Sequence, residues 1–377
     1  MPLAIRKLSL LLAVALAAQA AAQKPGDPPV VTGRVFIDAD SNGRFSSGDT
    51  PVAAAAVSDG LQIVRTDAQG RYRIQPKRDP LLAETADPIV RLSIPSGTWP
   101  RKHWWALVRA NGPQAVVDFP LRIAKQALPL RFIHATDAHV SSGRWAHFAA
   151  FKRQLARQEK QAAFCVLTGD QWHVIDRYGP EKAIATAARY QTVARNFPIP
   201  LFTVPGNHDL AGTNSGKDWS THAHLKDFEL YRKHCGPLRW SFTWGGVHVI
   251  GIESMKRNPF VKGAYTFGLS QTSRAWLTAE LDRLPPGTRV LLFMHYPVEA
   301  KLLTDLAARY NIAAGFAGHT HTISRHSFKN LTVYVGGAIG HVVKLTRTWG
   351  GRNPVGYRRV DVTDSALRAP YVQIGSD

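Results

Sequence analysis

Gly318-His319-Thr320-His321 is the stretch on which the reading of this chain turns. Two imidazoles sit two residues apart behind a glycine, directly after the apolar run 313–316. The same arrangement returns upstream in Asp137-Ala138-His139, Gly169-Asp170, Gly206-Asn207-His208-Asp209 and Met294-His295. Each follows a short apolar run (130–134, 163–167, 201–204 and 290–293) with the length and composition of a buried strand. Taken singly the motifs are weak: Gly-Asp is a common turn dipeptide, and a histidine after an apolar strand is more often a hydrogen-bonded core residue. Five of them in order, each at a strand end, are hard to produce with turns alone and point to a metal site fed by several strands.

The segments between these runs have the other period. Residues 145–161, 181–196 and 270–284 read as amphipathic helices, and Trp276, Leu277 and Leu281 form the apolar face of the last. Trp240-Ser241-Phe242 and the run 247–252 read as an antiparallel pair, with 331–335 as a closing strand. Strands alternating with helices predict an α/β core over 128–345 with its ligands at strand ends. Residues 356–362 and 370–374 read as a terminal hairpin at most, a short C-terminal β extension over 346–377.

Ahead of this core, residues 28–125 read as all-β. Val31-Thr32-Gly33-Arg34-Val35-Phe36-Ile37 alternates, and later short runs are punctuated by Gly, Asp and Pro, which predicts a small sandwich module. Inside it Asp38, Asp40, Asn42 and Asp49 have the spacing of a calcium loop, with Gly43 at the turn. The twelfth position is Asp where Glu is usual and the flanks read as strand, so a polar turn built by Asp, Asn and Gly is the competing reading.

A chain of 377 residues has room for two domains, and 45% hydrophobic residues with ten tryptophans fit a globular protein. Residues 1–22 carry Arg6 and Lys7, an apolar run and Ala20-Ala21-Ala22 before Gln23, the pattern of a secretory signal peptide. No later segment is apolar enough for a membrane span, so the expected location is periplasmic or extracellular. The two cysteines, Cys165 and Cys235, make no disulfide framework and read as buried thiols. A formal charge of +20 should attract anions: phosphate esters, nucleic acid or anionic envelope polymers. The basic residues are scattered rather than gathered into arms, which argues against a dedicated nucleic-acid surface. Oligomeric state is not legible.

The ordered set Asp137-x-His139, Gly169-Asp170, Gly206-Asn207-His208-Asp209, His295 and Gly318-His319-x-His321 resembles the signature of the calcineurin-like metallophosphoesterases. The resemblance covers roughly residues 128–340. Residues 228–242 and Pro354-x-Gly356-Tyr357 also look like an exported bacterial branch that carries an N-terminal prealbumin-like β module. It implies a four-layer α-β-β-α sandwich with two metal ions at the strand ends. Position by position, Asp137, His139, Asp170 and His321 would hold one ion; Asp170, Asn207, His295 and His319 the other, with Asp170 bridging. Side chains two apart on a strand share a face, so each Asp-x-His or His-x-His pair can serve one site if extended geometry persists into its loop. Nitrogen and oxygen donors without thiolate suit Mn, Fe, Zn or Ni.

The resemblance further implies in-line attack on a phosphomonoester or phosphodiester by a metal-bridging hydroxide, with His208 protonating the leaving alcohol and Asp209 orienting that imidazole. Purple acid phosphatases carry a tyrosine three residues after the bridging aspartate; here that place is His173, so no ferric tyrosinate is expected. Trp172, His173 and His341 are candidate substrate contacts, with core packing the equal alternative for the first two. His222 and His224 read as surface or substrate-loop residues, and Tyr296, Trp219 and Trp349 as either stacking platforms or core. An enzyme acting on a small or envelope-derived phosphoester leads; a nuclease, or an envelope-binding protein with a vestigial enzyme domain, are the alternatives.

Overall fold

A computed structural model describes residues 28–83, 86–109, 112–141, 145–173, 175–258, 260–261, 264–340 and 355–375. The expected signal segment, His341 and Trp349 lie outside the described residues. Two six-stranded sheets form the centre of the larger part. The first runs Leu201–Val204, Cys165–Thr168, Leu130–Ala135 and Gly356–Val362, closed by Leu367–Arg368 and Tyr371–Gln373. The second runs Trp240–Trp244, Val247–Gly251, Arg289–Phe293, Ile312–Ala317, Leu331–Val335 and Ser324–Phe328. Their central pairings are parallel, which brings the carboxyl ends of successive strands to one edge.

The period-two alternation of each strand decides what faces what. Phe132, Phe164, Val166 and Phe202 point inward and meet Phe242, Val249, Phe293 and Phe316 from the other sheet. Phe132 stacks on Phe164 at 5.2 Å and takes Phe293 and Phe316 edge-on at 5.7 and 5.5 Å. Each such ring contributes about 1.5–3 kcal/mol by leaving water. The alternate residues, Ile133, Cys165 and Leu167, face outward onto the helices Trp145–Gln158 and Pro180–Arg195 through Phe148, Phe151 and Tyr190. Ile250, Leu292 and Val333 likewise face Gln271–Asp282 and Ala300–Arg309. The result is the four-layer α-β-β-α sandwich that the resemblance implied.

The strand Gly356–Val362 corrects one sequence expectation. It is no appendage: it lies antiparallel to Leu130–Ala135, pairing from Leu130 with Val362 to His134 with Arg358, and is buried along most of its length. Arg359 places its guanidinium on both oxygens of Glu159 at 2.9 Å. Arg358 donates to Val335 O and Ser324 O of the other sheet. Chain order conceals this, because a strand that returns to the middle of a sheet has the same local pattern as one added at its edge.

Residues 30–123 fold as two further sheets around Val31, Val35, Val57, Leu92, Phe119 and Leu121. Ile94 forms a parallel bridge to Phe242, and the Trp99 ring packs edge-on against Phe202, Phe242 and Trp244 at 5.3–6.0 Å. The β module is therefore seated on the edge strand of the second sheet. Ending the chain before Gly356 should leave Leu130–Ala135 paired on one side only, an exposed edge, and give protein that neither melts cooperatively nor retains metal. A soluble, cooperatively melting, metal-binding truncation in circular dichroism and elemental analysis would show the strand to be dispensable.

Candidate metal centre

Three of the strands that enter the site, Leu130–Ala135, Cys165–Thr168 and Ile312–Ala317, stop at a sharp backbone reversal. Asp137, His139, Asp170, His319 and His321 all have positive φ, between 46° and 70°. This region is disfavoured for residues with a Cβ and costs of order 1–3 kcal/mol at each position. The expectation that extended geometry carries Asp137 with His139, and His319 with His321, onto one face is therefore corrected: left-handed turns, not strand alternation, converge these side chains. Gly169, at φ +90°, brings the chain so near His295 that a Cβ there would fall 2.2 Å from its Nδ1. A Cβ on Gly206 would fall 2.2 Å from Asp170 Oδ1.

The convergence has two halves. In one, His139 Nε2 lies 3.0 Å from His321 Nε2, 3.6 Å from Asp137 Oδ1 and 3.7 Å from Asp170 Oδ2, and His321 Nε2 lies 3.1 Å from Asp137 Oδ1. In the other, Asn207 Oδ1 sits 3.1 Å from His295 Nε2 and 2.8 Å from His319 Nδ1, while His295 Nε2 lies 3.4 Å from Asp170 Oδ1. Among the described ligand candidates, Asp170 is the carboxylate that faces imidazole nitrogens of both halves, one oxygen to each. Supporting bonds aim the donors. Asp137 Oδ2 accepts from Thr136 Oγ1 at 2.6 Å and His319 N at 3.0 Å, leaving the buried Oδ1 to face the Nε2 atoms of His139 and His321. His295 Nδ1 donates to Thr168 O at 2.7 Å, which turns Nε2 inward.

The electrostatics fit cations. Burial alone would lower the His295 pKa, yet the Asp170 and Asp137 carboxylates raise it to about 10. Burial would raise Asp170, and His295 instead brings it down to about 2. His319 goes the other way, lowered to about 4 by burial and by the charge on His295, which keeps its ring neutral and able to donate a lone pair. A field that pulls positive charge onto a fully buried histidine, and a buried carboxylate oxygen that faces two imidazole nitrogens, are what a nitrogen and oxygen metal-ligand set requires. The residues present fit two metal ions.

His208 stands beside the ligand set, its ring 5.5 Å from that of His139. Asp209 does not orient it, contrary to the sequence expectation. The Asp209 carboxylate accepts from Gly206 N at 2.8 Å and Trp172 N at 3.2 Å, stapling the loop, and burial together with the Asp170 charge pushes its pKa up to about 8. The partner of His208 is Asp176, whose Oδ1 lies 2.8 Å from Nδ1. Burial lowers the His208 pKa, but the Asp176 hydrogen bond and the charges of Asp170, Asp176 and Asp209 outweigh it and leave the value raised. Asp176 sits in the short 3-10 turn Ile175–Arg177, 32 residues before His208, so no local spacing announces it.

The remaining candidates divide. Trp172 is fully buried against Tyr190 and Tyr231, a core residue. His173 reaches the site, 5.7 Å ring to ring from His139. His222 and His224 lie on the 3-10 helix Ser220–Leu225 with rings 6.4 Å apart, and Trp219 is buried. Tyr296 stacks on Phe267 at 4.3 Å, and both rings approach His319, at 5.2 and 4.6 Å. Phe267, unremarked in the sequence, also lines a cleft of about 590 Å³ that runs from Asn207 to Lys226. In the β module Asp38, Asp40 and Asp49 converge with donor oxygens within 4.8 Å of one another. Asn42 does not join them: its Oδ1 accepts from Arg44 N at 2.6 Å.

An α-β-β-α sandwich that gathers a shared-carboxylate ligand set at its strand ends defines a metal-binding hydrolase scaffold. The profile of calcineurin-like phosphoesterases matches residues 130–322, and the chain belongs to that family. A probable glycerophosphodiester phosphodiesterase of Arcobacter nitrofigilis is 24% identical over 172 residues, 41% of this chain and 58% of the relative. A human serine/threonine-protein phosphatase is 25% identical over 197 residues, 47% of this chain and 56% of the relative. The chain thus spans a little over half the length of these curated relatives. The structure of a dimetal phosphatase from Danio rerio superposes with a TM-score of 0.42 at 13% identity, over 65% of this chain and 98% of that one.

If Asp176 holds His208 protonated, Asp176→Asn should move the alkaline limb of kcat/KM for an alkyl phosphoester to lower pH, because an acid with a reduced pKa loses its proton sooner. A limb that moves for Asp209→Asn and stays for Asp176→Asn would return the orienting role to Asp209.

Proposed function

We propose that this chain is an exported phosphoesterase that hydrolyses phosphomonoesters or phosphodiesters with a pair of metal ions. The observation that carries the reading is the double nest around Asp170. Asp137, His139, Asp170 and His321 would hold one ion and Asp170, Asn207, His295 and His319 the other, from among Mn, Fe, Zn and Ni. When bound, such ions supply Lewis-acid stabilisation of charge at phosphorus and lower the pKa of coordinated water.

The chain's own residues do the rest. Asp170 keeps the two halves in fixed relation, and the Thr136, Thr168 and Gly206 contacts hold the donors oriented before substrate arrives. His208 delivers a proton from Nε2 to the leaving alcohol oxygen, with Asp176 fixing the ring through Nδ1. The Phe267 and Tyr296 rings form an apolar wall beside His319, suited to an organic leaving group. The N-terminal pattern and the charge of +20 support export and an envelope-derived, anionic substrate. The same charge supports a second reading, a nuclease. Single-stranded DNA hydrolysis falling steeply with salt while nitrophenyl phosphate turnover stays level would favour that reading.

His208→Ala should keep its metal and lose about 10²–10⁴-fold in turnover of alkyl phosphoesters, with a smaller loss for nitrophenyl esters, whose leaving group needs no proton. Equal losses on both substrates, with metal content unchanged, would remove His208 from the acid role. In the β module, fully buried Asp38 with an unpartnered Oδ1, together with Asp40 and Asp49, supports a calcium site. Calcium should raise the melting temperature of the chelator-treated chain, and Asp40→Ala should abolish that rise. No calorimetric heat in the micromolar to millimolar range would reduce the loop to a turn.

A further inference from the structure

A second concave site, which shares no lining residue with the metal centre, lies where the β module meets the catalytic domain. Among the described residues it is lined by Lys77, Arg78 and Arg91 from the module and by Arg232 and Arg239 from the domain, with the acids Asp59 and Asp79. Those acids, and the carboxylates behind the lining, are already engaged. Asp59 accepts from Leu61 N, Gln62 N and Lys77 N at 2.8–2.9 Å. Asp79 lies 2.9 Å from Arg239 Nη1, and Glu253 takes the other face of Arg239 at 2.9–3.0 Å. Glu229 is paired with Arg232 at 2.5 Å.

Arg91 is left over. It is 4% exposed, its guanidinium lies against Gly60 and 5.5 Å from the centroid of the Trp276 ring, and neither Nε nor Nη2 has a hydrogen-bond partner. Burial first, and the neighbouring Arg239 charge second, push its pKa down to about 9 against the opposing pull of Asp59, Asp79 and Glu253, so it still carries charge at neutral pH. A buried cation with idle donors is costly unless something anionic meets it. Water could satisfy the donors, while Asp59, Asp79 and Glu253 meet the charge only at a distance, being hydrogen-bonded to other groups. The planar fork of a guanidinium matches two oxygens of one oxyanion. The space open to atom centres is about 40 Å³, enough for a compact tetrahedral ion and too little for a nucleotide or a sugar.

We propose that this cavity between the β module and the catalytic domain is an anion site, with Arg91 as its central ligand and a small tetrahedral oxyanion such as inorganic phosphate as its occupant. The site stands on its own residues and does not depend on the reaction assigned to the metal centre.

Equilibrium dialysis of the metal-loaded full chain with labelled inorganic phosphate tests this. Arg91→Met should bind one equivalent less phosphate than wild type, and should lose the matching part of the phosphate-dependent rise in melting temperature. Its turnover of nitrophenyl phosphate should stay within about two-fold, since Arg91 lies outside the catalytic set. In anion-free buffer the variant should melt no lower than wild type, because it removes a buried charge two of whose donors have no hydrogen-bond partner. Lys77→Gln, at an exposed position on the lining, guards against misfolding of the first variant and should weaken the same equivalent several-fold. Phenylphosphonate, which carries the same head on a bulky group, should fail to displace it; displacement would overturn the assignment to a free ion. Equal phosphate stoichiometry in wild type and Arg91→Met, or no change in affinity for Lys77→Gln, would overturn the site.

Discussion

One carboxylate holds the centre of this molecule together. Asp170 has each oxygen committed to a different group of donors, Oδ2 toward His139 and Oδ1 toward His295, with Oδ1 also accepting from His208 N at 2.9 Å. Two positively charged nests with no shared anion would repel each other; two carboxylates in place of one would repel in turn. A single bridging group is the arrangement that lets both halves lie close inside a buried space. The rest of the architecture can be read as what is needed to put that side chain there. Parallel strands deliver their carboxyl ends to one edge, left-handed turns stop three of them abruptly, and Gly206 lacks the Cβ that would strike Asp170.

The sequence was informative where chemistry and pattern coincide. Apolar runs that end in Asp, Asn or His marked the strand ends, because a buried strand and a ligating side chain are both unusual enough to be recognised together. The four layers followed once the residues were set against a family. What stayed hidden depended on contacts between distant positions. Asp176 lies in an irregular loop and acquires meaning only when folding sets it against His208. Gly356–Val362 alternates well enough to be a strand, yet nothing in its own residues says that it belongs beside Leu130–Ala135. The backbone sign at Asp137, His139 and His321 is likewise invisible, since none is the glycine or asparagine that commonly betrays a left-handed turn.

The charge of the chain also changes meaning when it is located. A total of +20 suggests a diffuse attraction for anions. In the structure some of that charge is internal. Arg239 is buried and held by Glu253, Asp79 and the Gly60 carbonyl, whereas Arg91 beside it has two donors with no partner. Burying guanidinium groups at a junction is a poor way to gain stability and a good way to fix one geometry, because each fork accepts few arrangements of its partners.

The module that contributes Arg91 also touches the far end of the catalytic cleft. Leu81 O accepts from Tyr265 Oη and Arg257 Nη2, both at 3.3 Å, and these residues belong to the hairpin Met255–Arg257 and Tyr265–Phe267 that carries Phe267 to the side of His319. One wall of the cleft is therefore moored to a carbonyl of the neighbouring domain. Transplanting the catalytic sandwich onto a different module would carry over the metal-ligand set but leave behind the carbonyl that holds this hairpin in place.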